Sequence, residues 1–227
     1  MSRSPSHPVV RPPRLPLSRP GPVGGTRDAN RRARIEQLAG AALDLFLEHG
    51  VPAVTIDQIV LRAGVGKGSF YRYFHDKEEL VGALFAILSE GIFVAFDGCR
   101  AALARARTPA DLSGAYLELA RSIATVIAAE PRVALLYLQE SRGPATGARA
   151  PVRRLADRVA DLAEMLSAHA RDHGLLRDLD PRVQALVVLG AVERLLFDAL
   201  SGGRVAGHTD AVAAMVVTII LDGVRRP

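Results

Sequence analysis

The chain has 227 residues, 49% of them hydrophobic and 23% charged, with a net charge of +5 and a single cysteine. That length can bury a sizeable core in one large domain or two small ones. One cysteine excludes an internal disulfide and a cysteine-based zinc site, and fits a reducing cytoplasm. Basic charge gathers at the front: residues 1–34 hold eight arginines against one acid, and the remainder holds 21 bases against 23 acids. A polyanion partner is therefore expected for the front alone. No uninterrupted apolar run approaches the ~20 residues of a membrane span, so no membrane partner is expected.

Residues 1–27 carry seven prolines, and Pro pins φ and removes a helical hydrogen bond; the segment reads as a disordered or locally extended tail. It is either an arm adding phosphate contacts or a solvated tail. From Asp28, Ile35, Leu38, Ala42, Leu45 and Phe46 recur at helical spacing, and His49-Gly50 with Pro52 ends the helix. Arg31, Arg32 and Arg34 near its start suit phosphates better than they suit the helix dipole.

Thr55 with Gln58 gives a capping box for a second helix, whose apolar face is Ile56, Ile59, Val60 and Ala63. Gly64 suits the left-handed position that stops it. A third helix over roughly Lys67–Phe74 puts Phe70 and Phe74 inward and leaves Lys67, Ser69, Tyr71, Arg72 and Tyr73 outward or at the border. Residues 55–74 thus read as a helix-turn-helix, whose second helix lies in a DNA major groove. Cations, hydroxyls and phenols are the groups that meet phosphates, and Arg, Lys and small polar groups read base edges. Lys67, Ser69, Arg72 and Tyr73 are the candidate base contacts, and Gly68 lets the backbone approach DNA closely.

Asp76 with Glu79 caps a fourth helix, striped by Leu80, Leu84, Ile87, Leu88, Ile92 and Phe96, and this is the expected mechanical link from the DNA end to the body. Thr108-Pro109 opens the next helix, which runs to Glu130-Pro131. A short apolar segment, 133–138, precedes a Gly/Pro/Ser-rich loop over 141–151. Helices follow over about 152–173, 181–200 and 209–224, the last two apolar over a broad arc. No period-2 pattern occurs, so the class is all-α with about nine or ten helices. Helices apolar on several sides are buried on several sides, and 181–201 with 209–224 suit a four-helix bundle shared by two subunits.

The segment Thr55–Lys77 resembles the DNA-binding domain of the TetR (tetracycline repressor) family of bacterial regulators. The matching residues are Thr55, Ile59, Ala63-Gly64-Val65, Lys67-Gly68-Ser69, Tyr71, Tyr73-Phe74, Lys77 and Leu80. Departures are Gly66, Val60 and Tyr73, where the family commonly has Ser, Ala and His. The resemblance implies a three-helix DNA-binding domain (28–92) ahead of a helical effector-binding and dimerisation domain (93–227). It implies Thr55, Tyr71 and Lys77 as phosphate contacts, a homodimer on a palindromic operator, and a small apolar or amphipathic effector. Candidate pocket residues are Phe93, Phe96, Tyr116, Tyr137 and Met165, with Gln139 and Glu140 as further polar groups. The expected function is that of a ligand-responsive cytoplasmic repressor. The alternatives are a DNA-binding dimer without an effector and an adaptor that no longer binds DNA.

Catalytic chemistry is not expected. The Gly64–Gly68 segment lacks the spacing of a phosphate-binding loop. His169 and His173 share a helix face, but the adjacent Glu of a metallohydrolase helix and an obvious third ligand are missing. Asp157, Asp161 and Glu164 lie among arginines as surface pairs. Neither an enzyme, a metal site nor a cofactor follows from these residues.

Overall fold

In a computed structural model of the chain, residues 26–174, 176–203 and 218 are described. They form α1 (Thr26–His49), α2 (Ile56–Arg62), α3 (Lys67–Tyr71), α4 (Lys77–Leu103), α5 (Pro109–Ala129), α6 (Pro131–Glu140), α7 (Ala150–Asp172) and α8 (Pro181–Leu200). A short 3-10 turn, Gly147–Arg149, precedes α7 inside the stretch expected to be loop. The fold is all-α. The expected last helix, 209–224, lies outside the described residues apart from Thr218, which is helical, and so does the tail up to residue 25.

Local chemistry sets the helix starts. Thr55 and Gln58 form the expected capping box, and Thr108 forms another with Asp111 ahead of Pro109. Asp76 and Asp180 accept from Glu79 N and Val183 N at the starts of α4 and α8. Gly50 and Gly64 close α1 and α2 at φ of +80° and +64°, where a Cβ is penalised. Helix α3 is shorter than the pattern suggests. It stops at Tyr71, and Phe74 closes one further turn by donating its N–H to Phe70 O at 3.0 Å.

One hydrophobic core runs through both halves. In the head, Leu38, Ala42, Phe46, Ile59, Phe70 and Leu80 are fully buried, so the two short helices rest on α1 and the beginning of α4. In the body, Leu88, Leu103, Leu112, Leu136 and Val152 continue the same core. Helix α4 crosses from one half to the other without a break, packing against α5 and α7. At Gly91 a Cβ would meet Val126 Cγ2 at 2.7 Å, so α5 approaches α4 closely there. Cys99 is buried in α4, and burial pushes its thiol up to about 12.

One sequence expectation is qualified and one is corrected. First, α4 and α5 are long and apolar enough to cross a membrane by length and composition, although neither holds an uninterrupted apolar run of that length. Helix α4 nevertheless carries ten buried residues of the shared protein core, which a lipid-facing span would not provide. Second, α4 is not the only link between head and body. Helix α6 also grips α1: Arg132 pairs with Asp44, and Glu140 accepts the Val51 N–H at 2.9 Å.

The two glycines give a stability test. Nothing lies within 4 Å of a Cβ at Gly64, so Gly64→Ala pays only the left-handed conformation, about 1 kcal/mol. At Gly50 a Cβ would also meet Glu140 Oε1 at 3.1 Å. Denaturant melts should therefore rank Gly50→Ala below Gly64→Ala; the reverse order contradicts the packing described. Cys99 should resist alkylation at pH 8 in the folded chain and react once denaturant unfolds it.

Candidate nucleic-acid interface

Helix α3 is barely more than one turn long, so its position comes from tertiary packing and not from propensity. Phe70 supplies the anchor. It is fully buried, lies edge-on to Tyr71 with ring centroids 5.5 Å apart, and contacts Phe74 at 5.7 Å. Gly66 begins the helix without a side-chain cap, and Ser69 N donates to Gly66 O at 2.8 Å. The turn before it is held from α1: Gln37 Nε2 donates to Ala63 O at 2.5 Å, and Arg34 Nη1 donates to Gln37 Oε1 at 2.7 Å.

With Phe70 inward, Lys67, Gly68, Tyr71 and Arg72 are exposed and Ser69 is half-buried. Thr55 is exposed at the start of α2, although its hydroxyl is engaged with Gln58 in the capping box. No Cβ-sized obstruction exists at Gly68, so its backbone is open to approach. Lys67 pairs with Asp57 at 2.8 Å, and this bond raises its pKa; the ammonium stays charged. Both groups of that pair are exposed, so a phosphate can compete for the lysine at small cost. Tyr73 is half-buried and packs on the core, so it offers less of its ring than Tyr71 does.

Lys77 is placed differently from its neighbours. Its ammonium donates to Val51 O at 2.8 Å and Val54 O at 2.5 Å, with Pro52 O at 3.4 Å. Desolvation lowers its pKa, opposed by the nearby Glu140 carboxylate. A lysine committed to loop carbonyls buttresses the head and has little left for a phosphate.

The expected pocket residues do not converge on one enclosed space. Phe96 is buried and Phe93 half-buried on α4, with Tyr116 across from them on α5; burial, then Cys99, pushes the Tyr116 hydroxyl up. Tyr137 is buried, and its hydroxyl donates to Glu193 Oε1 of α8 at 3.1 Å. Met165 lies apart, 42% exposed on the outer side of α7, because the inward positions there are taken by Leu162, Leu166 and Ala170. Gln139 is exposed, and Glu140 faces the head instead of a pocket, paired with Arg149 at 2.5 Å. Sequence spacing could not reveal that role, since Val51 and Glu140 are 89 residues apart. His169 and His173 stack at 4.2 Å, and no group of three or more potential metal ligands occurs among the described residues. An open groove lined by His75, Glu78, Glu79, Gly82, Pro151 and Arg154 contains none of the expected pocket residues.

The roles of Lys77 and Lys67 separate by stability. Lys77→Met leaves loop carbonyls short of a donor and should cost about 1–3 kcal/mol. At ~2–4 °C per kcal/mol for a chain of this size, that is a clear fall in Tm. Lys67→Ala should leave Tm unchanged, and equal effects of the two would show that Lys77 is not a buttress.

Residues 38–84 match the family model described as bacterial regulatory proteins, tetR family. The HTH-type transcriptional activator FasR of Mycolicibacterium smegmatis is 39% identical over 85 residues, which are 36% of this chain and 37% of that protein. The chain therefore aligns with well under half the length of that curated relative. Over the whole fold, the fatty acid degradation regulator FadR from Bacillus halodurans superposes with a TM-score of 0.62 at 20% identity, covering 84% of this chain and 95% of that one. FadR from Bacillus subtilis, solved in complex with stearoyl-CoA, gives 0.61 at 16% identity over 82% and 97%. The head of the chain therefore belongs to the tetR family of bacterial regulatory proteins, and the helical body behind it has the same fold as solved regulators of that kind.

Proposed function

We propose that the protein binds duplex DNA through α3, as a homodimer on a palindromic operator, and that it acts as a repressor released by a small apolar or amphipathic effector in the cytoplasm. The observation that carries the DNA reading is the outward side of α3. Lys67, Tyr71 and Arg72 stand exposed together on a helix whose other side is locked by Phe70. Lys67, Ser69, Arg72 and Tyr73 are the residues for base or near-base contacts, while Thr55 and Tyr71 serve the phosphates.

The dimer reading is supported by α8. Val183, Leu186 and Val187 are 60%, 49% and 66% exposed on one side of it, an apolar stripe that water covers poorly. Two such stripes facing each other across a two-fold axis form an isologous interface. The segment 209–224 is assigned to the same interface. The effector reading is supported by α5. It carries Tyr116, Leu119, Ile123, Val126 and Ile127 toward the core, yet only Leu112 and Ala115 are fully buried. An apolar wall left half-packed can accept an apolar guest. The neighbour solved with stearoyl-CoA makes that acyl-CoA a sensible first probe.

DNA binding is tested on duplexes that the wild-type chain selects from a random pool. Lys67→Ala with Arg72→Ala should weaken binding and reduce the salt slope by about 1 for each lost phosphate contact. Unaltered binding would instead favour an adaptor that no longer reads DNA. Val187→Glu should convert dimer to monomer in analytical ultracentrifugation and weaken palindrome binding with it. A dimer that survives this change has another interface. Loss of the complex on adding stearoyl-CoA separates a sensor from a regulator set by its own abundance.

A further inference from the structure

Glu140, the last residue of α6, is a buried carboxylate with ligands from both halves of the chain. One oxygen accepts the Val51 N–H at 2.9 Å, in the loop that joins α1 to α2. The other takes Arg149 Nε at 2.5 Å, from the turn that leads into α7. Two glycines make room for the pair. A Cβ at Gly50 would lie 3.1 Å from Glu140 Oε1, and one at Gly143 would lie 2.5 Å from the Arg149 guanidinium. The loop carbonyls at Val51, Pro52 and Val54 are meanwhile held by Lys77 at the start of α4. The α1–α2 loop is thus clamped from α6 and α4 by groups of opposite charge.

We infer that Glu140 is a positioning residue for the DNA-reading head: its carboxylate fixes the α1–α2 loop to the body and so sets the angle at which α3 is presented. The same helix connects outward. Tyr137, one turn earlier, donates to Glu193 of α8 at 3.1 Å, and Arg142 reaches that carboxylate at 3.4 Å. Helix α8 carries the apolar stripe proposed to bind a second copy. A displacement of α8 is therefore transmitted through α6 to Glu140 and reaches the head without passing along α4. A buried carboxylate shared between two partners resists small shifts, because releasing either partner leaves a polar group unsatisfied.

The placement of the loop is tested without DNA, by hydrogen exchange in the full chain. Glu140→Ala should speed exchange over residues 50–62 by about tenfold or more while α5 and α7 stay at wild-type rates. Glu140→Gln, whose amide oxygen still accepts from Val51 N–H, should recover most of the protection. If Glu140→Ala does not fold, Arg149→Ala is read in its place, with the same local signature expected. Wild-type exchange over 50–62, or a uniform rise in every helix, overturns the inference. The consequence for recognition rests on the proposed DNA reading and is measured on the duplex selected by the wild type and on its isolated half. Glu140→Ala should lower the ratio of full-site to half-site affinity about tenfold, because two heads at undefined angles fit both grooves poorly. An unchanged ratio overturns the positioning role. A wild-type chain that selects no duplex refutes the DNA reading while leaving the exchange result to decide the clamp.

Discussion

The backbone of the loop between α1 and α2 has polar groups that no helix can satisfy, and two side chains of opposite charge arrive to satisfy them. Lys77 takes the carbonyls and Glu140 takes an N–H. A buried backbone group without a partner is expensive, so this pairing is a strong constraint on where the loop can sit. Everything in the head follows from it. The loop fixes where α2 starts, α2 and its Gly64 turn fix where α3 starts, and Phe70 then decides which side of α3 faces outward. A helix as short as α3 has no conformational authority of its own, and its reading surface is inherited from the elements beneath it.

The body is built on a different balance. Among the described residues of the body, apolar surface is left uncovered on the outward stripe of α8 and on the half-packed side of α5. Covering either surface stabilises the folded chain by the area removed from water. In the proposed function the first surface takes a second copy and the second a small guest. Helix α6 packs against both α5 and α8, which carry these surfaces, and against α1 of the head. A regulator needs such coupling: a ligand shifts an equilibrium only to the extent that it distinguishes the two states.

Much of the head was legible from the residues because its determinants are local. Thr55 and Gln58, Gly64, and Phe70 with Phe74 act within a few positions of one another, and spacing alone places them. Helix starts at Thr108, Asp76 and Asp180 were legible for the same reason. What was not legible depends on distant pairs. Glu140 reads as a polar group of a pocket until Val51 is seen beside it, and no local spacing singles out Arg132 before α6 lies along Asp44. Lys77 matches a family phosphate contact in sequence, yet the loop carbonyls claim its ammonium. Met165 reads as a pocket residue because it is large and apolar. Helical phase turns it outward, to one side of the buried Leu162 and Leu166. Periodicity identifies an apolar residue but not which of several apolar surfaces it faces.

The central claim is that two copies of this chain present α3 to successive major grooves of one duplex. Hydroxyl-radical footprinting of the wild-type complex on its selected duplex tests it most directly. Two protected patches related by a two-fold axis, with centres about one helical turn or ~34–36 Å apart, are predicted. A single patch, or uniform protection with no defined spacing, would contradict it.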